Sequence, residues 1–310
     1  MRFALTRLGY AIIVIFLVSV VTFAALHASP GSVISSVLNV TTTPHSVVVA
    51  YERSHGLLDP LPVQYWHFIS GVLTGNLGTS LVSNLPVAQI VRNSIWYTAL
   101  LAGSAFLLTF GLGIPLGVAA AVTEGSWFDR VIRTVASFVL AIPNFVLAIA
   151  AVLILAVHLH VLPAGGAGSF SDLIMPAVVL AAEPWSLTVR VMRTSFLEHM
   201  SADFTRTLRA RGVPEWRVVW LHVLRNAVGP VISLGILQIR NLLAYTLLIE
   251  VIFTWPGLGT QLVNSVLQRD YNVTLVLTLL LATVIVLAAA LGDILLSLVD
   301  PRVRVNGGNP

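Results

Sequence analysis

Residues 203–230 read DFTRTLRARGVPEWRVVWLHVLRNAVGP, with Arg206, Arg209, Arg211, Arg217 and Arg225 gathered in a chain that is 57% hydrophobic and only 10% charged. Helical spacing puts Phe204 and Leu208 on one apolar stripe, with Arg206 and Arg209 off it. Gly212 supplies a C-cap residue that tolerates a left-handed backbone, and Pro214 keeps the same helix from continuing. The pattern predicts a short amphipathic helix over 203–211, a sharp turn, and a second helix leading into a membrane. An apolar stripe on a helix outside the bilayer needs a surface to dock against. A basic loop that only fixes topology and touches anionic membrane lipid is the competing reading of composition alone.

The composition outside this stretch excludes whole classes. A 310-residue chain with a mean hydropathy of +0.91 is not a soluble protein. It has no cysteine, so disulfides and thiolate metal sites are ruled out. All 17 basic residues are arginine. Without lysine there is no Walker A phosphate loop, and the chain is not its own conventional ATPase. The net charge of +4 sits between hydrophobic spans rather than on a soluble basic face, so no nucleic-acid partner is expected. His158 and His160 alternate without acidic neighbours and read as interfacial polar residues, not metal ligands. No Ser-His-Asp spacing, paired intramembrane carboxylates or HExxH occurs. The chain is therefore assigned no catalytic and no metal-binding residue.

Taken in order, 1–7 is short and basic, and 8–26 is uncharged and long enough to cross a bilayer. It reads as an uncleaved first transmembrane helix, residues 1–28, rather than a signal peptide. Residues 29–94 form a different material, an extracytoplasmic segment with Val47, Val48, Val49, Tyr65, Trp66, Phe68 and Ile69 to bury. Five further spans are predicted at 95–122, 135–157, 173–192, 227–253 and 273–298, in a core of 95–310 whose cytoplasmic loop is 194–226. Pro115, Pro143, Pro176, Pro184 and Pro230 lie inside spans, where neighbours or water can satisfy freed carbonyls. With the N-terminus inside, the segments 1–7, 123–134, 190–226 and 299–310 hold 13 of the 17 arginines. The positive-inside rule then gives six helices with both ends cytoplasmic.

Asp203, Arg206-Thr207, Arg209-Ala210-Arg211-Gly212, His222 and Leu224-Arg225-Asn226-Ala227 together resemble the "EAA" loop of bacterial ABC-importer permeases, in the oligopeptide/dipeptide branch. Phe204 stands where that family usually has tyrosine, and Leu208 where it has alanine. The resemblance runs along the chain through Leu58-Asp59-Pro60-Leu61, Gly75-Asn76-Leu77-Gly78, Ile142-Pro143-Asn144-Phe145 and Leu162-Pro163-Ala164-Gly165-Gly166. It continues through Glu250, Trp255-Pro256-Gly257-Leu258-Gly259 and Arg269-Asp270-Tyr271, to the closing Asp300-Pro301-Arg302-Val303-Arg304. Asn76 replaces the usual aspartate, and Asn272 the usual proline.

What the resemblance implies is an all-α polytopic membrane protein with six transmembrane helices of the type I ABC-importer permease fold, placed in the bacterial cytoplasmic (inner) membrane. It implies a second homologous permease subunit, two ABC ATPase subunits and an extracytoplasmic substrate-binding protein as partners. This chain would bind no cofactor, since ATP and Mg2+ belong at the ATPase subunits. The coupling helix would comprise Asp203, Phe204, Arg206, Thr207, Leu208, Arg209, Ala210, Arg211 and Gly212. Di- and oligopeptides lead as substrates, while nickel chelates, glutathione or another small solute share the architecture. A secondary transporter is the rival of a different class. It would use mid-span charges, which Glu183, Arg240, Glu250 and Asp293 supply, but it has no use for a coupling loop.

Two further sites are expected. Glu183, Arg240 and Glu250 are candidates for the translocation path. Arg240 sits at the numerical centre of 227–253, ~20 Å along the helix from either end. It either pairs with Glu183, Glu250 or Asp293, lines the path, or lies nearer an interface than the span limits suggest. Trp255, Pro256, Gly257 and Gly259 mark an outer loop, either at the mouth of the path beneath the binding protein or as a turn capping two helices.

Overall fold

The uncharged run at the start of the chain forms helix α1, Arg2–Ala28, in the computed structural model, which describes residues 2–28 and 43–299. The closing 300–304 motif lies outside the described residues. Helices α2 (His45–Ser54) and α3 (Leu61–Thr74) follow, then α4 (Val87–Val122). The chain continues through α5 (Trp127–Ala141), α6 (Asn144–His158), α7 (Phe170–Ser201) and α8 (Asp203–Ala210). Helices α9 (Glu215–Ile252), α10 (Leu258–Leu267) and α11 (Tyr271–Val299) complete it.

The chain divides into two compact units, Met1–Thr98 with Pro256–Leu287, and Ala99–Trp255 with Ala288–Pro310. The division expected from the sequence was 1–28, 29–94 and 95–310. Late residues of the chain belong with the N-terminal unit, and α4 and α11 each pass through both units. The spanning helix expected from residue 95 starts earlier, at Val87. At 36 residues α4 is ~54 Å long, well beyond a ~30 Å hydrocarbon core, so part of it stands outside the bilayer.

In the first unit, α1 is fastened to α3 by polar contacts along an otherwise greasy helix. The Ser19 hydroxyl and Tyr65 Oη lie 2.8 Å apart, and His27 Nε2 lies 3.3 Å from Gln64 Oε1. Phe23 is buried with its ring edge-on to Tyr65. Val87, Leu258, Val273, Val276 and Leu277 make the apolar centre of this unit, with Phe68, Leu77 and Ile90 against it. Val48 is buried and Phe68 packs against the apolar centre, so this stretch is folded and not a linker, but Val47 and Trp66, also expected to bury, are exposed.

In the second unit α7 is the mast. Its apolar window is 72% buried, the most of any candidate span. One cluster joins Val118 and Ala121 of α4 to Met192 and Phe196 of α7 and to Val218, Val223, Ala227 and Val231 of α9. A second joins Ala120, Ile132, Ala136 and Val189. The helices approach closely because Gly117 has no side chain. A Cβ there would lie 2.7 Å from Met192 Cβ and 2.9 Å from the Val189 carbonyl oxygen.

The predicted span 135–157, with Pro143 inside it, is present as a bent pair of helices. It starts at Trp127 and is broken, with α5 and α6 bent by 103°. Pro143 has no N–H to give and biases its predecessor toward extended backbone, and Ile142 sits at φ −99°, ψ 123°. The other intraspan prolines leave their helices continuous. Among the described residues, five helices are long and apolar enough to cross a membrane, or six when the bent pair counts as one span.

Candidate functional site

Helix α8 begins directly after α7, with only the extended Ala202 between them. Thr205 is fully buried and donates its hydroxyl to the His199 carbonyl at 2.7 Å. Leu208 and Val213 pack against the cluster of Phe196, Val218 and Val223. At 100° per residue the inward direction lies between Thr205 and Leu208, which leaves Phe204 at the rim. Phe204 is 36% exposed, with its ring 6.4 Å from that of His199. The expected stripe is therefore split. Leu208 faces its own chain, while Asp203, Arg206, Thr207, Ala210 and Arg211 are exposed on the other side.

The turn after α8 forms as the sequence predicts. Gly212 has φ +77°, and the N–H groups of Gly212 and Val213 donate to the Arg209 and Leu208 carbonyls at 2.9 and 3.1 Å. Arg209 adds a clip absent from the sequence reading. Its Nε and Nη2 donate to the Glu215 carboxylate at 3.0 and 2.6 Å, joining the end of α8 to the start of α9. That hydrogen bonding, with the charge of Glu215, holds the guanidinium above its ordinary pKa. Arg209 thus serves the turn.

About nine residues before the α7–α8 junction lies a group the sequence did not single out. Asp129 of α5 is fully buried, and Arg193 of α7 donates to both of its oxygens at 2.7 and 2.8 Å. Arg133 Nε is 3.2 Å from Oδ1, and the Gly125 N–H donates to Oδ2 at 3.1 Å. The Asp129–Arg133 spacing is legible as an i, i+4 pair. Arg193, far along the chain, is not.

The three candidate path residues have different surroundings. Glu183 of α7 accepts from Asn144 Nδ2 at 3.4 Å, which puts its charge at the N-terminus of α6. Glu250 is fully buried, and its backbone carbonyl accepts from the Trp255 N–H at 2.8 Å. Arg240 is exposed on α9, and among the described residues it forms no ion pair.

The outer-loop residues are mostly interior. Trp255 is 2% exposed, Gly257 and Gly259 are buried, and Pro256 is exposed. Within the second unit, Phe253 is buried and its carbonyl accepts from the Gly166 N–H at 3.0 Å, tying down the Leu162–Gly166 motif. Within the first unit, the Thr98 hydroxyl accepts the Leu258 N–H at 2.8 Å and caps α10. The stretch between α9 and α11 is not all turn, because it contains the ten-residue α10.

Comparison with known proteins places this geometry. The family described as binding-protein-dependent transport system inner membrane component matches residues 113–305, and its N-terminal counterpart matches residues 1–101. The glutathione transport system permease protein GsiC of Salmonella choleraesuis (strain SC-B67) is 36% identical, covering 98% of this chain and 99% of that protein. The dipeptide transport system permease protein DppB of Escherichia coli (strain K12) is 34% identical, covering 98% of this chain and 99% of that one. A solved structure of the inward-facing MetNI methionine ABC transporter matches with a TM-score of 0.56 at 18% identity, covering 69% of this chain and 98% of that one. At that identity the likeness concerns the fold.

Proposed function

This chain belongs to the family of binding-protein-dependent transport system inner membrane components, and from that premise we propose how its parts divide the work of an importer. It is the permease subunit of an ABC importer and not the ATPase. In our reading it pairs with a second homologous permease, rests on two ABC ATPase subunits that hold ATP and Mg2+, and receives solute from an extracytoplasmic binding protein. The termini and α8 face the cytoplasm, in keeping with 13 of 17 arginines on that side.

The observation that carries this reading is the mounting of α8. A short helix presents Asp203, Arg206, Thr207, Ala210 and Arg211 outward, with Phe204 at the rim, and is joined end-on to the most buried helix of its unit. Such a mounting turns a push on a small surface into motion of a long rigid rod, as alternating access requires. A secondary carrier has no use for it.

Short peptides are the proposed solutes. Relatives at 36% and 34% identity are named for glutathione and dipeptides, both small peptides with free carboxylates. Arg240 supports an aqueous, solute-facing position on α9, since an exposed arginine in the middle of a span cannot face lipid without a cost of ~2.5 kcal/mol or more. Glu183 on α7 and Glu250, ten residues beyond Arg240 on α9, are the other proposed path residues. Uptake by the reconstituted complex with its cognate binding protein, comparing dipeptides, longer peptides and glutathione, tests the substrate class. Uptake of none of them overturns it.

A further inference from the structure

We infer that Asp129 and Arg193 form a latch that makes both arms of the broken span move with α7, so that displacement of α8 reaches the transport path instead of being absorbed at the Pro143 break. The inference rests on the reading of α8 as the ATPase-docking element.

The geometry is specific. The Asp129 carboxylate accepts three hydrogen bonds, from Arg193 Nε on Oδ1 and from Arg193 Nη2 and the Gly125 N–H on Oδ2, and Arg133 Nε forms an ion pair with Oδ1. Glu124 adds a longer contact to Arg193 at 3.9 Å. A bidentate arginine–carboxylate pair fixes direction as well as distance. A buried ion pair is a poor way to gain stability, because apolar side chains of similar size do as well; its best-attested use is to fix register. Here it fixes the base of α5 to α7 about nine residues above the α8 junction, ~14 Å along the helix. A second tie lies ten residues further up, ~15 Å, where Asn144 of α6 donates to Glu183 of α7. The two ties straddle the 103° bend between α5 and α6. Without the lower one, α5 is linked to α7 at that level by apolar contacts alone, such as Ile132 and Ala136 with Val189, which permit sliding. Asp129 and Arg193 are thus positioning residues of the transport cycle, acting through α7.

The test uses the assembled complex in liposomes with its partner permease, ATPases and binding protein. In D129C/R193C both charges leave together, so no lone charge is buried. The ratio of solute transported to ATP hydrolysed is expected to fall by roughly two- to thirtyfold with the ATPases still bound. Bridging the two thiols, the only ones in this chain, with a short cleavable cross-linker is expected to restore the ratio, and reductant to remove it again. A wild-type ratio before bridging overturns the latch, and so does failure of the bridge to restore it. Spin labels at the exposed Arg130 and Thr194 leave the latch intact and report independently. Their separation is expected to stay fixed between nucleotide-free and ATP-trapped states. A change larger than about one helical turn, ~5 Å, overturns the proposal, whether or not the double variant assembles. Failure of the docking reading is separately visible, as wild-type levels of bound ATPase after charge reversal of Arg206 and Arg211.

Discussion

Ser80 donates its hydroxyl to the carboxylate of Asp270, 190 positions later in the chain, and the neighbouring Leu81 N–H donates to the same carboxylate at 3.2 Å. Asp270 is buried, heads α11, and also accepts from the Val273 N–H at 3.4 Å. Tyr51 closes the arrangement by donating to the Leu81 carbonyl at 3.1 Å. Burial first, and the charge of Asp270 second, push its phenol above the usual range, which keeps the donor proton in place. One carboxylate thus joins the 79–86 loop to the start of a spanning helix.

Replacing Asp270 with alanine leaves a buried hydroxyl and two N–H groups without their acceptor. The expected loss is about 3 kcal/mol, read as a lower melting temperature of the purified protein. Asp270→Asn should recover part of it. An unchanged melting temperature for the alanine variant would show that the junction contributes nothing.

Topology can be read with single cysteines on a background that has none. Ser54, Ser169 and Ser201 are all exposed. An impermeant maleimide added to intact cells is expected to label cysteine at 54 and 169 and to miss 201. Labelling at 201 from outside would end the proposed orientation.

The split stripe of α8 separates two substitutions that the sequence alone treats alike. Phe204→Asp puts a charge at the rim and should leave a folded permease that loses its ATPase subunits or their stimulation by substrate. Leu208→Asp buries a charge in the chain's own core and should cost several kcal/mol of stability, so less protein is recovered. Equal recovery of both variants, with normal ATPase binding, would contradict the assignment of faces.

Arg240→Met keeps length and removes charge. A path position predicts normal assembly, with uptake of peptides bearing a free carboxylate reduced by roughly tenfold or more, the loss of one charge-assisted hydrogen bond. Reduced recovery of the complex instead, restored by neutralising an acid in the partner permease, would make it an interface residue. Normal uptake and assembly remove both roles.

Much of this was legible in one dimension, and what was missed follows a rule. The turn at Gly212 and Pro214, the spanning runs and the folded segment before α4 depend on local spacing and composition. The turn came out as expected, and the spanning runs came out in the expected order with different limits at Val87 and Trp127. Pro143 was visible, but whether a proline kinks or breaks a helix depends on what its neighbours hold, and Pro115, Pro176, Pro184 and Pro230 look no different in sequence. Phe204 and Leu208 share a stripe by spacing, yet only the packing of Thr205 and Val213 says which edge turns inward. Asp129 and Arg193, like Ser80 and Asp270, meet across distant segments, and a single sequence carries no signal for such a pair. Trp255 was noticed as part of a motif, but its burial was not readable from it.

The inward hold on α8 has a consequence for recognition. Eight residues are too few to stay helical in water alone, since isolated helices below ~12–15 residues are marginal. Thr205 and Leu208, with Val213 in the turn, rest on the permease's own core, so the outward surface is shaped before any ATPase arrives. Association then need not order it, and the entropy that a disordered loop would surrender on docking has already been lost in folding. A free peptide with the sequence of residues 203–212 would therefore be a weak competitor for the proposed ATPase contact, although it carries every exposed side chain of the helix.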